Sequence, residues 1–159
     1  MGRLNENLRK HRVYIDANIF IYAVEGVEPW ASVLRDVFSD IDAGKLFAIT
    51  SNLSLAECLV MPFKHYQNDL FRPSAEDLIT VYRQVLSPRP YLNIAPIDDH
   101  ILIFAARLRA ETGLKLPDAI HAATALTQKC NVMLTNDAGF KRVPNIDVFL
   151  LSDWITQSC

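Results

Sequence analysis

Four carboxylates stand where short apolar runs give way to polar residues: Asp16 in Tyr14-Ile15-Asp16-Ala17-Asn18, Glu57 in Leu55-Ala56-Glu57, Asp118 in Pro117-Asp118-Ala119 and Asp137 in Thr135-Asn136-Asp137. Acids gathered beside apolar runs repel one another and are costly to desolvate, so a fold that collects them needs a cation to offset their charge. Oxygen ligands select a hard ion, Mg²⁺ or Mn²⁺. Asp16 and Asp137 are the first choices as direct ligands, because each follows an apolar run that reads as a strand. Glu57 and Asp118 are expected to bind directly or through water, and one ion or two are both open.

Each acid also has a structural reading. Asp16 could simply cap the helix that starts at Ala17, and Ser54 with Glu57 has capping-box spacing. Asp118 after Pro117 suits a helix dipole, and Asp137 before Gly139 suits a turn. Singly, each structural reading is the stronger; jointly, placement at one edge favours a metal site. His121 lies three residues after Asp118 and shares its helical face, where a packed, hydrogen-bonded histidine is expected rather than a ligand. Asp98 and Asp99 read as helix caps.

The elements that must position these acids follow from apolar spacing. Val13–Ile15, Phe47–Ile49, Leu92–Ala95, Val132–Leu134 and Val148–Leu151 read as short buried strands. Helices are expected over Ala17–Val24, from Pro29 to a stop at Gly44, from Leu53 until Pro62 bends or ends it, and from Pro73 to Leu86. Two more run from Asp98 or Asp99 to Gly113 and onward from Pro117, placing Glu57 and Asp118 in first turns. Continuously apolar strands separated by helices imply a three-layer α/β/α sandwich with a mostly parallel sheet of about five strands. Ligands of such sheets bind beyond the carboxyl ends of the strands, where the four acids converge.

The 159 residues suit one domain, expected over 13–159 behind a polar basic leader, 1–12. Half the residues are hydrophobic, 21% are charged and the net charge is -2, which fits an ordered globular chain and gives no strong general attraction to nucleic acid. Three widely spaced cysteines, Cys58, Cys130 and Cys159, without a CxxC pair, fit a reducing compartment. The leader lacks the apolar stretch of a signal peptide, and no apolar run approaches the ~20 residues of a membrane span, so a cytoplasmic location without a membrane partner is expected. The Arg9–Arg12 cluster reads as a solvated tail, with contact to phosphate as the alternative.

Tyr14-Ile15-Asp16-Ala17-Asn18-Ile19-Phe20, Ser54-Leu55-Ala56-Glu57, Leu116-Pro117-Asp118-Ala119-Ile120-His121-Ala122-Ala123-Thr124-Ala125 and Leu134-Thr135-Asn136-Asp137-Ala138-Gly139-Phe140, in this order, resemble the PIN-domain family, specifically its VapC-type toxin ribonucleases. The resemblance covers nearly the whole chain from Val13 on. It implies a metal-dependent endoribonuclease, the toxin of a type II toxin-antitoxin pair, neutralised by a small antitoxin and assembled as a homodimer. Matched position by position, the catalytic metal site falls on Asp16, Glu57, Asp118 and Asp137, with Asn18 and Thr135 as polar neighbours. The leader is longer than such toxins carry, and nothing between Tyr66 and Leu92 matches a motif.

Cleaving an RNA phosphodiester requires an activated water and stabilisation of charge on the phosphate, both of which a carboxylate-bound Mg²⁺ supplies. An aspartyl-phosphate phosphatase with Asp16 as nucleophile is the enzymatic alternative; it resembles a family that needs an aspartate where this chain has Asn18. A degenerate PIN fold acting as an RNA-binding module is the non-enzymatic alternative, against which the intact acid set argues. Trp30 and the helices between Pro62 and Leu86 are the expected homodimer surface. An antitoxin arginine is expected in or beside the acidic cleft, where a guanidinium pairs with carboxylates.

Overall fold

In a computed structural model describing residues 3–155, five parallel strands form one sheet, in the order β3-β2-β1-β4-β5. They are β1 (Val13–Ile15), β2 (Ala48–Ser51), β3 (Leu92–Ala95), β4 (Val132–Thr135) and β5 (Asp147–Leu150). The helices are α1 (Leu4–Leu8), α2 (Ala17–Val24), α3 (Trp30–Asp42), α4 (Asn52–Tyr66), α5 (Arg72–Val85), α6 (Asp99–Thr112), α7 (Leu116–Thr127) and α8 (Leu151–Ile155), with a 3₁₀ turn over Ala138–Arg142. Every residue of β1, β2 and β4 is buried, as a parallel sheet covered on both faces requires.

Alternation along β1 divides the core into two. Val13 and Ile15 face a cluster built with Ile19 and Phe20 of α2, Leu34, Val37 and Ile41 of α3, Cys58 of α4 and Tyr82 of α5. Tyr14 points the other way, into a cluster with Ile101, Ala105 and Leu108 of α6 and the small residues Ala119, Ala122, Ala123 and Ala125 of α7. The result is the expected three-layer sandwich. The chain runs outward from central β1 through β2 to β3, then returns to place β4 on the other flank of β1. The crevice beyond the carboxyl ends of β1 and β4 is therefore the switch point at which open α/β sheets bind ligands.

Three local readings are corrected. Helix α4 runs through Pro62, which is buried within it, to Tyr66; the packing of α4 and α5 outweighs the lost amide donor. The Arg9–Arg12 cluster is not a solvated tail: Leu4 and Leu8 of α1 are buried at 3% and 0% exposure, and Arg9 Nε donates to Asp40 Oδ2 of α3 at 2.6 Å. Asn5 Nδ2 donates to the same oxygen at 2.8 Å, and Arg12 Nε donates to the Gln128 carbonyl at 2.7 Å. Trp30 is half-buried rather than exposed, its ring stacked on Tyr22 at 5.9 Å against the core.

After β5 the chain continues into α8, its first turn held by Ser152 N–H donating to Asn136 Oδ1 at 3.0 Å. Cys58 and Cys130 are buried free thiols, each pushed up to about 12 mainly by burial and so unreactive, while Cys159 lies outside the described residues. Among the described residues, no helix is long and apolar enough to cross a membrane.

Candidate metal centre

Asp16 follows β1 directly, at the centre of the sheet, and its backbone N–H donates to the Leu134 carbonyl of β4 at 3.1 Å. Its side chain is locked from both sides: Oδ1 accepts from Ala17 N–H at 2.7 Å, and Oδ2 accepts from the Thr135 hydroxyl at 2.7 Å. Asp16 is thus both the cap of α2 and part of an acidic cluster, so its structural and chemical readings hold together. At 4% exposure, burial pushes its carboxyl up, His121 and Thr135 oppose the shift, and Glu57 adds to it.

Glu57 reaches the same point from α4. It is the sixth residue of that helix, not a first-turn residue, because α4 begins at Asn52 straight after β2. The capping-box reading fails with it: Ser54 is buried inside α4, its Oγ 2.6 Å from the Thr50 hydroxyl. Glu57 Oε2 lies 2.7 Å from His121 Nε2, and His121 Nε2 lies 3.8 Å from Asp16 Oδ1. Asp16, Glu57 and His121 each offer one ligand atom, all within 4.8 Å of one another, so this trio forms the tight set of donors among the described residues.

His121 is fully buried, and its Nδ1 meets the Tyr14 hydroxyl at 2.8 Å; that hydroxyl also lies 3.0 Å from Ser51 Oγ. Burial alone would lower the imidazole, but the Glu57 hydrogen bond and the charges of Asp16, Glu57 and Asp118 outweigh it and leave His121 raised. Burial likewise pushes the Tyr14 hydroxyl up, so it stays protonated.

Asp118 and Asp137 stand outside the tight trio. Asp118, third residue of α7, has its carboxyl pushed up first by burial, then by the charges of Asp137 and Asp16, while His121 opposes. Its charge is therefore felt by both the trio and Asp137. Asp137 is exposed and performs the turn role: its Oδ1 accepts from Gly139 N–H at 2.7 Å, and its own N–H donates to Thr135 Oγ1 at 3.1 Å. Gly139 is favoured here, since a Cβ would lie 3.0 Å from Asp137 Oδ1. Thr135 joins the two ends of the site by holding Asp16 while receiving Asp137. Asn18 is exposed at the start of α2.

The donor chemistry fits a hard divalent cation. Asp16 and Glu57 contribute carboxylate oxygens, and Asp118 and Asp137 add negative charge that the fold leaves mutually repelling, the condition a bound cation relieves. The sequence patterning brings out the four acids but not the chain Ser51, Tyr14 and His121. The available signals are the shared helical face of Asp118 and His121 and the alternation that turns Tyr14 toward α7.

Residues 13–146 match the PIN domain, so the chain belongs to the PIN domain family. Among curated protein sequences, none matches the chain. Solved structures share the fold. A toxin-antitoxin complex from Klebsiella pneumoniae aligns at TM-score 0.60 and 26% identity over 87% of this chain and 97% of that one. VapBC2 from Rickettsia felis bound to a promoter DNA fragment aligns at 0.60 and 17% over 87% and 97%. PAE2754 from Pyrobaculum aerophilum aligns at 0.58 and 14% over 98% and 97%.

Proposed function

We propose that this PIN domain is a Mg²⁺- or Mn²⁺-dependent endoribonuclease and the toxin of a toxin-antitoxin pair acting in the cytoplasm. The observation that carries the reading is the convergence of Asp16, Glu57 and His121 at the sheet's switch point with Asp118 coupled to them. Asp16 and Glu57 would hold the ion, with Asp118 and Asp137 ligating from α7 and the end of β4, directly or through water. Held by these residues, such an ion would supply polarisation of a phosphoryl oxygen and a water made nucleophilic near neutral pH.

The chain's own groups prepare that chemistry. Thr135 and the Ala17 N–H fix both oxygens of Asp16, so its free lone pairs point in set directions. Burial of Asp16 keeps bulk water from its carboxylate and strengthens every charge interaction there. Asn18 and Asp137 are both exposed, as contact with a nucleotide chain requires. The phosphatase alternative still lacks its second aspartate at Asn18, and the convergent acids favour an enzyme over a passive RNA-binding module.

Support for an antitoxin comes from the Klebsiella pneumoniae toxin-antitoxin complex, whose PIN fold this chain shares at 26% identity. A largely apolar cleft of about 710 Å³ between α2, α3 and α5, lined by Val24, Ala31, Phe38, Val81 and Val85 with the charged Glu28, Arg35, Asp42 and Arg89, suits an amphipathic antitoxin segment. The exposed apolar residues Val60, Met61 and Phe63 of α4 and Leu70 and Phe71 after it suit a homodimer contact. Expression of the wild-type chain alone is expected to arrest growth with loss of intact RNA, and the folded Asp118→Asn variant is expected to be harmless. A soluble wild-type chain that leaves RNA and growth unchanged contradicts the proposal.

A further inference from the structure

Glu57 is the least constrained member of the donor trio. Its side chain is one-third exposed on α4, and without a partner it would sample many rotamers. Its Oε2 instead lies 2.7 Å from His121 Nε2, on a ring that is fully buried in the small-residue face of α7 and pinned at its other nitrogen by Tyr14. The Tyr14 ring also meets the imidazole edge-on at 5.7 Å, and its hydroxyl is tied to Ser51 at the end of β2. A rigid path therefore leads from the sheet to Glu57.

The position of the hydrogen follows from the short contact. A bare nitrogen lone pair facing an anionic oxygen at 2.7 Å would be repulsive, so Nε2 carries a hydrogen whichever way the Tyr14 hydroxyl points. Both ring nitrogens thus have protein partners, Nε2 in Glu57 at 2.7 Å and Nδ1 in Tyr14 at 2.8 Å, while a hard cation prefers the carboxylate oxygens beside them. We infer that His121 is a positioning residue, which presents its Nε2–H to Glu57 and aims that carboxylate at Asp16, and that it is not itself a metal ligand. This inference rests on the metal-nuclease reading of the site. Side chains that orient ligands in this way typically change metal affinity by roughly 10–100-fold when removed.

The test compares the full-length wild type with His121→Gln and His121→Asn in Mn²⁺ binding. The glutamine amide can replace Nε2–H, whereas the asparagine amide reaches only the position of Nδ1. His121→Asn is expected to bind Mn²⁺ roughly 10–100-fold more weakly, with His121→Gln staying within a few-fold of wild type. Equal affinity in wild type and His121→Asn, or equal loss in two folded variants, overturns the inference.

Two readings on the wild type need no variant to fold. Pulsed electron paramagnetic resonance of bound Mn²⁺ should show no directly coordinated nitrogen, and nitrogen NMR of the metal-free protein should show Nε2 protonated. A coordinated imidazole nitrogen or a bare Nε2 overturns the inference. A wild type that binds no Mn²⁺ overturns it together with the nuclease reading; one that binds Mn²⁺ and cuts RNA while His121→Asn binds equally well overturns the inference alone.

Discussion

The substitution Asp16→Asn separates a metal ligand from a helix cap, because the two roles predict opposite changes in stability. The carboxyl is 4% exposed and its pKa is raised, chiefly by burial, so the fold prefers the neutral form. A carboxyl raised above its unfolded value destabilises the fold increasingly as pH climbs from about 3.8 through its folded pKa, because the native state holds a proton that the unfolded state has released. Above that window the full penalty is present. The asparagine side chain carries no such penalty and can keep both contacts: its carbonyl accepts from Ala17 N–H, and its amide donates to Thr135 Oγ1 once that hydroxyl turns.

Losing the charge in two charge-assisted hydrogen bonds costs ~1–2 kcal/mol, whereas an ionised buried carboxylate costs several kcal/mol. The metal-free variant should therefore be at least as stable as wild type at pH 7, with a gain of about 1 kcal/mol raising Tm by about 2–4 °C. The advantage should shrink as pH falls toward 4. Calorimetric melts from pH 4 to pH 8, with and without Mn²⁺, measure this directly. Mn²⁺ should stabilise wild type, since an ion that binds only the native state raises Tm, and should do little for the asparagine variant. A metal-free variant that melts several degrees lower at every pH, with its Mn²⁺ response intact, would refute the reasoning and leave Asp16 as a cap alone.

Leu8→Ala should destabilise the protein by ~2–5 kcal/mol, as a fully buried leucine does when truncated, measured by denaturant unfolding; a change within error would mean that α1 is dispensable to the core. Asp40→Asn should lower stability at neutral pH, because the Arg9 hydrogen bond holds the Asp40 carboxyl below its usual range; a depressed acid stabilises above about 3.8, so the gap should close as pH falls through the folded pKa. Gly139→Ala should displace Asp137, whose Oδ1 would lie 3.0 Å from the new Cβ, and lower cleavage with little change in Tm. Unchanged cleavage would remove Asp137 from the site.

Most of the sheet is legible in the sequence because a strand buried on both faces has few alternatives: Leu92–Ala95 reads to the residue, and Val132–Thr135 within one. Helix α1 is not, since Leu4 and Leu8 are two apolar residues in a charged stretch and their support, Asp40, is distant in sequence. The start of α4 reads to within one residue, Leu53 against Asn52, but its capping box does not hold, because β2 runs straight into the helix and leaves Ser54 buried against Thr50. Asp16 and Asp118 are legible from their junctions with apolar runs. The packed, hydrogen-bonded state of His121 is legible from the face it shares with Asp118, but its partners Tyr14 and Glu57 are not, because they meet it only when β1 and α4 pack against α7.

In the proposed function, the acids at the switch point bind a cation that catalyses RNA cleavage. Single-turnover cleavage of a defined RNA by wild type and Glu57→Gln, in Mg²⁺ or Mn²⁺ and again with chelator, tests it most directly. Metal-dependent cleavage by wild type that chelator removes, and that Glu57→Gln lowers by orders of magnitude while remaining folded, is the predicted result. Cleavage that survives both chelator and the substitution would contradict it.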